Sequence, residues 1–599
     1  MPTEPDWKRR FSAPRLYDFR IATNGPDRWA AVTNESGSWQ AWSWDPASGR
    51  RIRVSSDGIG AEEVHLTPDG DGVVWWLDET GDERGFWVVT PFTGGAWAPL
   101  LADAPDGWTM GISLVSGAVA VGIATDEDYR VYVSRDGEPA RELYRHARPA
   151  GVGAEWPQGG GGLSADGMLV CIRHAEHGDI ERQALRVLDV AGGDTVADLD
   201  DRARTGAVAW SPVAGDARLA GWSEVTGFER PFVWDLRTGE RRDLDVPLDA
   251  AVFPIEWSPD ATSLVLRHAA RGYDALYRHD LGDGSLTSVL DPHGTVIGAW
   301  VRPDAGIWAW VETSAEPQRI VDERGDDVVR LSEQRQPRGR PFRSFTSRNP
   351  RGDDIQGFVV TPDGAPPFPT IVSVHGGPNW HHTDAFDPDA QAFVDHGYAV
   401  MLVNYRGSTG YGAAFRDALQ GNIGFPESED VNAALDHLIA EGVADPSRVC
   451  LEGWSWGGYQ ATLNAGLRPD RWRAVCAGIP VGDYVAAHYE CAPALRAWDV
   501  AVMGGSPMDL PELYAERNPM TYVDRVTAPM LMIAGEHDSR CPLGQVMVYA
   551  HALKARGKEV VVHTYPGGHH ALATEDKIRH IEMTVAFFDR ALGDDAPAR

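Results

Sequence analysis

The chain has 599 residues, 43% hydrophobic and 24% charged, which is enough apolar content to fill two large cores. A formal net charge of −32 argues against nucleic acid and anionic membrane as partners. No stretch reaches the roughly 18 apolar residues of a membrane-spanning helix, and no apolar run follows Lys8-Arg9-Arg10, so a cytoplasmic protein is expected.

The cysteines, Cys171, Cys450, Cys476, Cys491 and Cys541, are odd in number and lack C-x-x-C spacing. They read as free thiols in a reducing compartment. No zinc or calcium motif is present. His381-His382 beside Asp384 reads as a loop pair, so neither metal nor cofactor is expected. Lysine occurs only at Lys8, Lys554, Lys558 and Lys577. The arginine excess reads as the base composition of a GC-rich bacterial genome and carries no functional signal.

Residues 1–17 precede any periodic pattern. From 18 to 335, runs resembling Ser-Pro-Asp-Gly recur, among them Thr67-Pro68-Asp69-Gly70, Ser164-Ala165-Asp166-Gly167 and Ser258-Pro259-Asp260. Anchored at positions 26, 68, 116, 165, 212, 259 and 303, the copies are 42 to 49 residues apart. Most lead into a short apolar run, such as Gly72-Val73-Val74-Trp75-Trp76. Repeats of this length with several short strands predict a β-propeller, and seven anchors predict seven blades. One blade cannot bury both faces of its sheet, so blades must stack around an axis. Glu62-Glu63, just before the second anchor, reads as two solvated carboxylates. The Arg-, Gln- and Pro-rich stretch from Glu333 to Arg343 reads as a crossover into a second domain, 336–599.

In that domain, Thr370 to Val374 reads as a buried strand ending in His375-Gly376-Gly377-Pro378. A glycine pair there lets the Gly377 amide approach a developing oxyanion. Arg448 to Glu452 reads as a strand and Tyr459 to Leu467 as a helix, with Gly453-Trp454-Ser455-Trp456-Gly457-Gly458 between them. Strand, glycine turn and helix are the context of a nucleophile elbow: Ser455 is lifted to the sheet end, and the Trp456 amide becomes a second oxyanion donor. A serine alcohol needs a histidine base, which needs a carboxylate to fix its tautomer. Strand Pro529 to Gly535 leads into Glu536 and Asp538, and strand Val560 to Tyr565 leads into His569 and His570, in the order Ser, acid, His. The residues alone leave both pairs open.

These segments resemble the prolyl oligopeptidase family of serine peptidases, most closely its acylaminoacyl-peptidase and bacterial oligopeptidase branch. The resemblance rests on His375-Gly376-Gly377-Pro378, Asn404-Tyr405-Arg406-Gly407-Ser408-Thr409-Gly410-Tyr411-Gly412, the Ser455 elbow, Asp538-Ser539-Arg540-Cys541-Pro542 and Tyr565 to Leu572. It implies a propeller ahead of a doubly wound α/β-hydrolase domain, with residues 1–17 packing back onto that domain. Family spacing selects Asp538 over Glu536 and, counted from Pro566, His570 over His569. Trp456 stands where tyrosine is more frequent in the family. The loop Ile479 to Tyr484 occupies a position that in the family walls the P1 side chain, so Trp456, Val481 and Tyr484 are the expected substrate-binding residues, with a broad apolar preference. In the dipeptidyl-peptidase branch a propeller glutamate pair binds the substrate's amino terminus, an alternative role for Glu62-Glu63.

The expected activity is hydrolysis of short peptides through an acyl-enzyme, of acylaminoacyl-peptidase or oligopeptidase type. The alternatives are dipeptidyl- or aminopeptidase action, or an esterase or acyl-transfer enzyme using the same triad. A propeller-based binding protein with an inactive hydrolase domain is disfavoured by the intact Ser, Asp and His set. Homo-oligomerisation is left open.

Overall fold

The 42-to-49-residue repeat becomes seven four-stranded antiparallel blades in a computed structural model that describes residues 4–56, 59–153, 160–332 and 336–597. Two compact units separate. One holds the described parts of Met1–Ala13, Thr313–Pro317 and Arg335–Arg599; the other holds Pro14–Glu312 and the described part of Gln318–Gln334. The start of the expected crossover, 333–335, lies outside the described residues.

In the propeller unit every anchor falls in the turn between the first and second strands of its blade. The reason for the signature is visible at three turns. The hydroxyls of Thr67, Ser164 and Ser258 donate to Asp69, Asp166 and Asp260 at 2.6, 2.7 and 2.7 Å. The same hydroxyls accept the amides of Gly72, Leu169 and Ser263, which open or adjoin the next strand, at 2.9, 3.0 and 2.9 Å. Each hairpin is thereby closed by a side chain that satisfies the turn's backbone. The long strand Leu286–Val301 ends the sixth blade and begins the seventh. The first and seventh blades meet through side chains: Phe19 lies edge-on to Trp300 at 5.2 Å and Trp29 edge-on to Trp308 at 5.8 Å. The glutamates expected to be solvated have partners instead. The Tyr17 hydroxyl donates to Glu62 at 3.1 Å, and Glu63 lies 2.7 Å from His65 Nε2.

The other unit is built on an eight-stranded sheet: β1 (Arg343–Arg348), β2 (Asp354–Val360), β3 (Phe368–Val374), β4 (Ala399–Val403), β5 (Ala444–Trp454), β6 (Ala474–Gly478), β7 (Met530–Gly535) and β8 (Val560–Tyr565). The spatial order is β1-β2-β4-β3-β5-β6-β7-β8. Pairing is antiparallel between β1 and β2 and between β2 and β4, and parallel from β4 onward. The near-continuous apolar runs of β4, β6 and β7 are buried throughout, as parallel strands covered on both faces require. Helix α1 (Asp6–Ser12) belongs to this unit: Arg10 pairs with Asp395, and Trp7 lies edge-on to His396 at 5.1 Å. All five cysteines are buried and free of disulfides. Among the described residues no helix is long and apolar enough to cross a membrane.

The loop after β4 braces the end of β3. The Tyr405 hydroxyl donates to the His375 carbonyl at 2.9 Å, its ring stacks on the His375 imidazole at 4.1 Å, and Ser408 Oγ lies 2.9 Å from His375 Nε2. That loop is in turn fixed to helix α2 (Phe425–Ala440) by Arg406. Its Nε and Nη2 donate to Asp430 at 2.9 and 2.8 Å, and its amide donates at 2.7 Å. Arg406 is 5% exposed and Asp430 fully buried; Arg406 Nη2 also donates to Glu429 at 2.5 Å, and Asn349 donates to Asp430 at 2.9 Å. Asp430→Ala should cost about 3 kcal/mol, the lower end of the scale for breaking a buried ion pair, because Glu429 still pairs with Arg406. Urea denaturation followed by circular dichroism measures the loss.

Candidate active site

Strand β5 delivers Ser455 into helix α3 (Trp456–Leu467) with φ of +57°, a left-handed conformation that a serine adopts only under constraint. The surrounding backbone leaves no room for other side chains. A Cβ on Gly457 would lie 1.9 Å from the Val374 carbonyl oxygen, and one on Gly453 would lie 2.4 Å from the Gly457 carbonyl oxygen. The elbow is therefore locked against the end of β3, where the loop His375-Gly376-Gly377 begins. Gly376 passes so near the elbow that a Cβ there would sit 3.4 Å from Ser455 Cβ and 3.9 Å from the Trp456 amide nitrogen. Gly376, Gly377 and Trp456 all border the cavity in which Ser455 stands, the setting that an oxyanion hole requires.

Asp538 follows β7 as expected. Its Oδ1 accepts the amides of Arg540 and Cys541, each at 2.8 Å. Burial pushes its carboxyl pKa up, but the adjacent His569 and these two amides outweigh that and hold it below the ordinary range. Glu536, the other acid at this strand end, accepts the Thr564 hydroxyl at 3.0 Å at an exposed position and takes no part in the cluster.

The expected base is corrected: His569, and not His570, stands between the serine and the aspartate. His569 Nε2 is 3.0 Å from Ser455 Oγ, and Nδ1 is 2.9 Å from Asp538 Oδ2. The cause lies in the loop after β8. The Tyr565 hydroxyl donates to the Gly568 and His569 carbonyls at 2.9 and 3.2 Å, and the His537 amide donates to the Gly567 carbonyl at 2.9 Å. Gly535 allows a close approach, since a Cβ there would lie 2.1 Å from the Gly568 carbonyl oxygen. The turn closes one residue earlier than spacing from Pro566 implies. His570 consequently borders the same cavity beside the base, its ring perpendicular to that of His569 at 5.0 Å. Burial first, then the neighbouring His569, Arg540 and Lys577, holds His570 well below its ordinary pKa.

Ser455 opens into a cavity of about 520 Å³. Trp456, Val481 and Tyr484 line it as expected; helix α4 (Tyr484–Glu490) adds Ala487, and helix α5 (Pro493–Met503) adds Leu495, Trp498 and Asp499, which motif reading missed. The helical spacing of Leu495, Trp498 and Asp499 is the signal that would have drawn attention to this face. Trp456 meets Trp498 edge-on at 5.3 Å and lies 4.8 Å from the Tyr459 ring. Asp499 accepts the Tyr484 hydroxyl at 2.9 Å and lies 3.2 Å from His488 Nδ1, so the pocket carries a buried carboxylate among its aromatic walls. The suspected loop histidines have separate tasks: His381 Nδ1 lies 2.9 Å from Thr409 Oγ1, while the His382 amide donates to Asn404 at 2.7 Å. Asp384, beside them, accepts the Ser314 amide at 2.8 Å.

Residues 384–595 match the prolyl oligopeptidase family. The human acylamino-acid-releasing enzyme is 34% identical over 238 residues, covering 37% of this chain and 31% of the human protein. The chain thus aligns with about a third of the length of such curated relatives. Among solved structures, the Pyrococcus horikoshii acylaminoacyl peptidase superposes with a TM-score of 0.72 at 19% identity, covering 98% of this chain and 97% of that one. A puromycin-hydrolysing peptidase of Mycobacterium tuberculosis gives 0.78 at 20% identity, covering 99% and 97%. The propeller plus α/β-hydrolase fold is shared along nearly the whole length.

The two histidines make the sharpest test of the geometry. His569→Ala should lower kcat by several orders of magnitude, the scale of losing a triad member, whereas His570→Ala should cost less than about tenfold. Steady-state kinetics on one chromogenic substrate, with both variants checked for folding by circular dichroism, decides between them.

Proposed function

We propose that this chain, with its prolyl oligopeptidase family match over residues 384–595, is a serine peptidase that hydrolyses short peptides, of acylaminoacyl-peptidase or oligopeptidase type. The observation that carries the reading is the unbroken relay Ser455–His569–Asp538 at a strained elbow facing a glycine loop. Ser455 Oγ attacks the scissile carbonyl as His569 Nε2 takes its proton. Asp538 holds the imidazole in the tautomer that leaves Nε2 free to accept, and stabilises the cation that follows. The amides of Gly377 and Trp456 receive the oxyanion. His569 then protonates the departing amine, and water attacks the acyl-enzyme by the same route. Val481, Tyr484 and the Trp456 ring wall the pocket for the P1 side chain.

The curated human relative and the Pyrococcus structural neighbour are both named for acting on acylated amino termini, which favours blocked peptides as substrates. Five buried free thiols fit a reducing compartment, so the proposed setting is the cytoplasm. Two experiments test the proposal. Ser455→Ala should abolish covalent labelling by a fluorophosphonate probe while leaving the circular dichroism spectrum unchanged; labelling at the wild-type rate would remove Ser455 from its role. N-acetylated peptide anilides should be cleaved with higher kcat/KM than the same peptides with free amino termini. The opposite ranking would assign the enzyme to aminopeptidase or dipeptidyl-peptidase action, and preference for p-nitrophenyl esters over both would make it an esterase.

A further inference from the structure

One buried acid near the elbow has no part in the chemistry above. Glu427 sits in the first turn of α2 and is fully buried. Its Oε1 accepts the Trp456 indole N–H at 3.2 Å, and its Oε2 has no hydrogen-bond partner among the described residues. No cation faces it. The charged neighbour on its own helix is Asp430, whose partner is Arg406, and the nearby rings Tyr405 and Tyr459 are neutral phenols. Burial accordingly pushes its pKa up to about 7, with the Gly424 and Glu427 amides and the Trp456 N–H pulling the other way. A carboxyl in that position opposes folding, because removing it from water is costly and little replaces its hydration. Its one side-chain partner is the ring that walls the specificity pocket.

Two rings packed against Trp456 are held by the same kind of bond. Tyr484 is tethered through its hydroxyl to Asp499 at 2.9 Å, and Tyr459 to the Arg517 carbonyl at 2.9 Å. Trp456 touches both rings and Trp498, and its only polar atom goes to Glu427. Without that bond, edge-to-face contacts alone would set the indole's rotation, and such contacts define orientation loosely.

We propose that Glu427 is a positioning residue of the reaction, fixing the Trp456 indole in the orientation that shapes the P1 pocket. The proposal rests on the serine-peptidase reading. It acts on discrimination between P1 side chains, because rotating the indole about its side-chain torsions leaves the Trp456 amide and the Ser455–His569 pair in place. Glu427 should therefore act on KM and on P1 ranking, with little effect on kcat for the best substrate.

The test is a double-mutant cycle read as the ratio of second-order labelling rates for peptide diphenyl phosphonates with Phe or Ala at P1. Glu427→Gln keeps an acceptor for the indole and should hold the ratio within about twofold of wild type, whereas Glu427→Leu should lower it about tenfold, within the range a misfitted apolar pocket produces. In a Trp456→Phe background, which has no N–H to bind, Glu427→Leu should change the ratio no further. An equal fall in both backgrounds, or an unchanged ratio in Glu427→Leu when Trp456→Phe does shift it, overturns the proposal. Glu427→Met repeats the comparison should the leucine variant fail to fold. Wild-type protein that reacts with neither phosphonate would overturn the Ser455 assignment itself, a result that the fluorophosphonate experiment reports separately.

Discussion

Everything at the site depends on how closely two backbones approach. The end of β3 and the turn after β5 are in contact at a distance that only glycine tolerates, with the Val374 carbonyl oxygen lying where a Gly457 side chain would have to be. This approach sets the left-handed conformation of Ser455, and it brings Gly376 and Gly377 alongside the Trp456 amide. Nucleophile and oxyanion loop are therefore placed by one constraint. A substitution that separates them removes both functions together, without touching the histidine or the aspartate.

The rest of the hydrolase unit holds that approach in place. His375 is clasped by Tyr405 and Ser408, and the loop carrying these two is pinned through Arg406 to Asp430 on α2. The same helix supplies Glu427, which accepts the Trp456 indole N–H. One helix thus steadies the oxyanion loop through a charged pair and the pocket wall through a carboxyl acceptor. On the far side of the serine, Asp538 depends on two consecutive amides and on His569, so its orientation follows from the turn after β7.

Much of this was legible in the sequence because it is written in local chemistry. Ser-Pro-Asp-Gly runs close hairpins through a hydroxyl and a carboxylate, so their spacing counts blades directly. The elbow glycines, the His375-Gly376-Gly377 loop and Asp538 declare themselves because each answers a steric or hydrogen-bonding demand within a few residues. The choice between His569 and His570 was not legible: it is made by the Tyr565 hydroxyl and by the clearance over Gly535, contacts that spacing does not encode. Nor were Trp498 and Asp499, which reach the pocket from a helix more than forty residues beyond Ser455. Glu427 reads in sequence as an ordinary acid in a helix's first turn, favoured by the helix dipole, and only its burial separates it from that description.

The ring of blades has several seams, and the one between first and last closes it. Among the described residues, strands of the first blade pair only with one another, as do those of the fourth and fifth, whereas ladders join the second blade to the third and the sixth to the seventh. First and last are joined by aromatic contact, by Arg302 stacked on Trp308 and reaching the Pro26 carbonyl, and by Gln318 and Arg51, which donate to the Leu16 and Leu331 carbonyls. A hydrogen-bond ladder fails in register, all at once, whereas packed rings slide and lose contact by degrees. The circle is therefore stiff where those two ladders run and compliant where blades meet through side chains alone, like a segmented hoop with two of its joints welded and the rest cushioned.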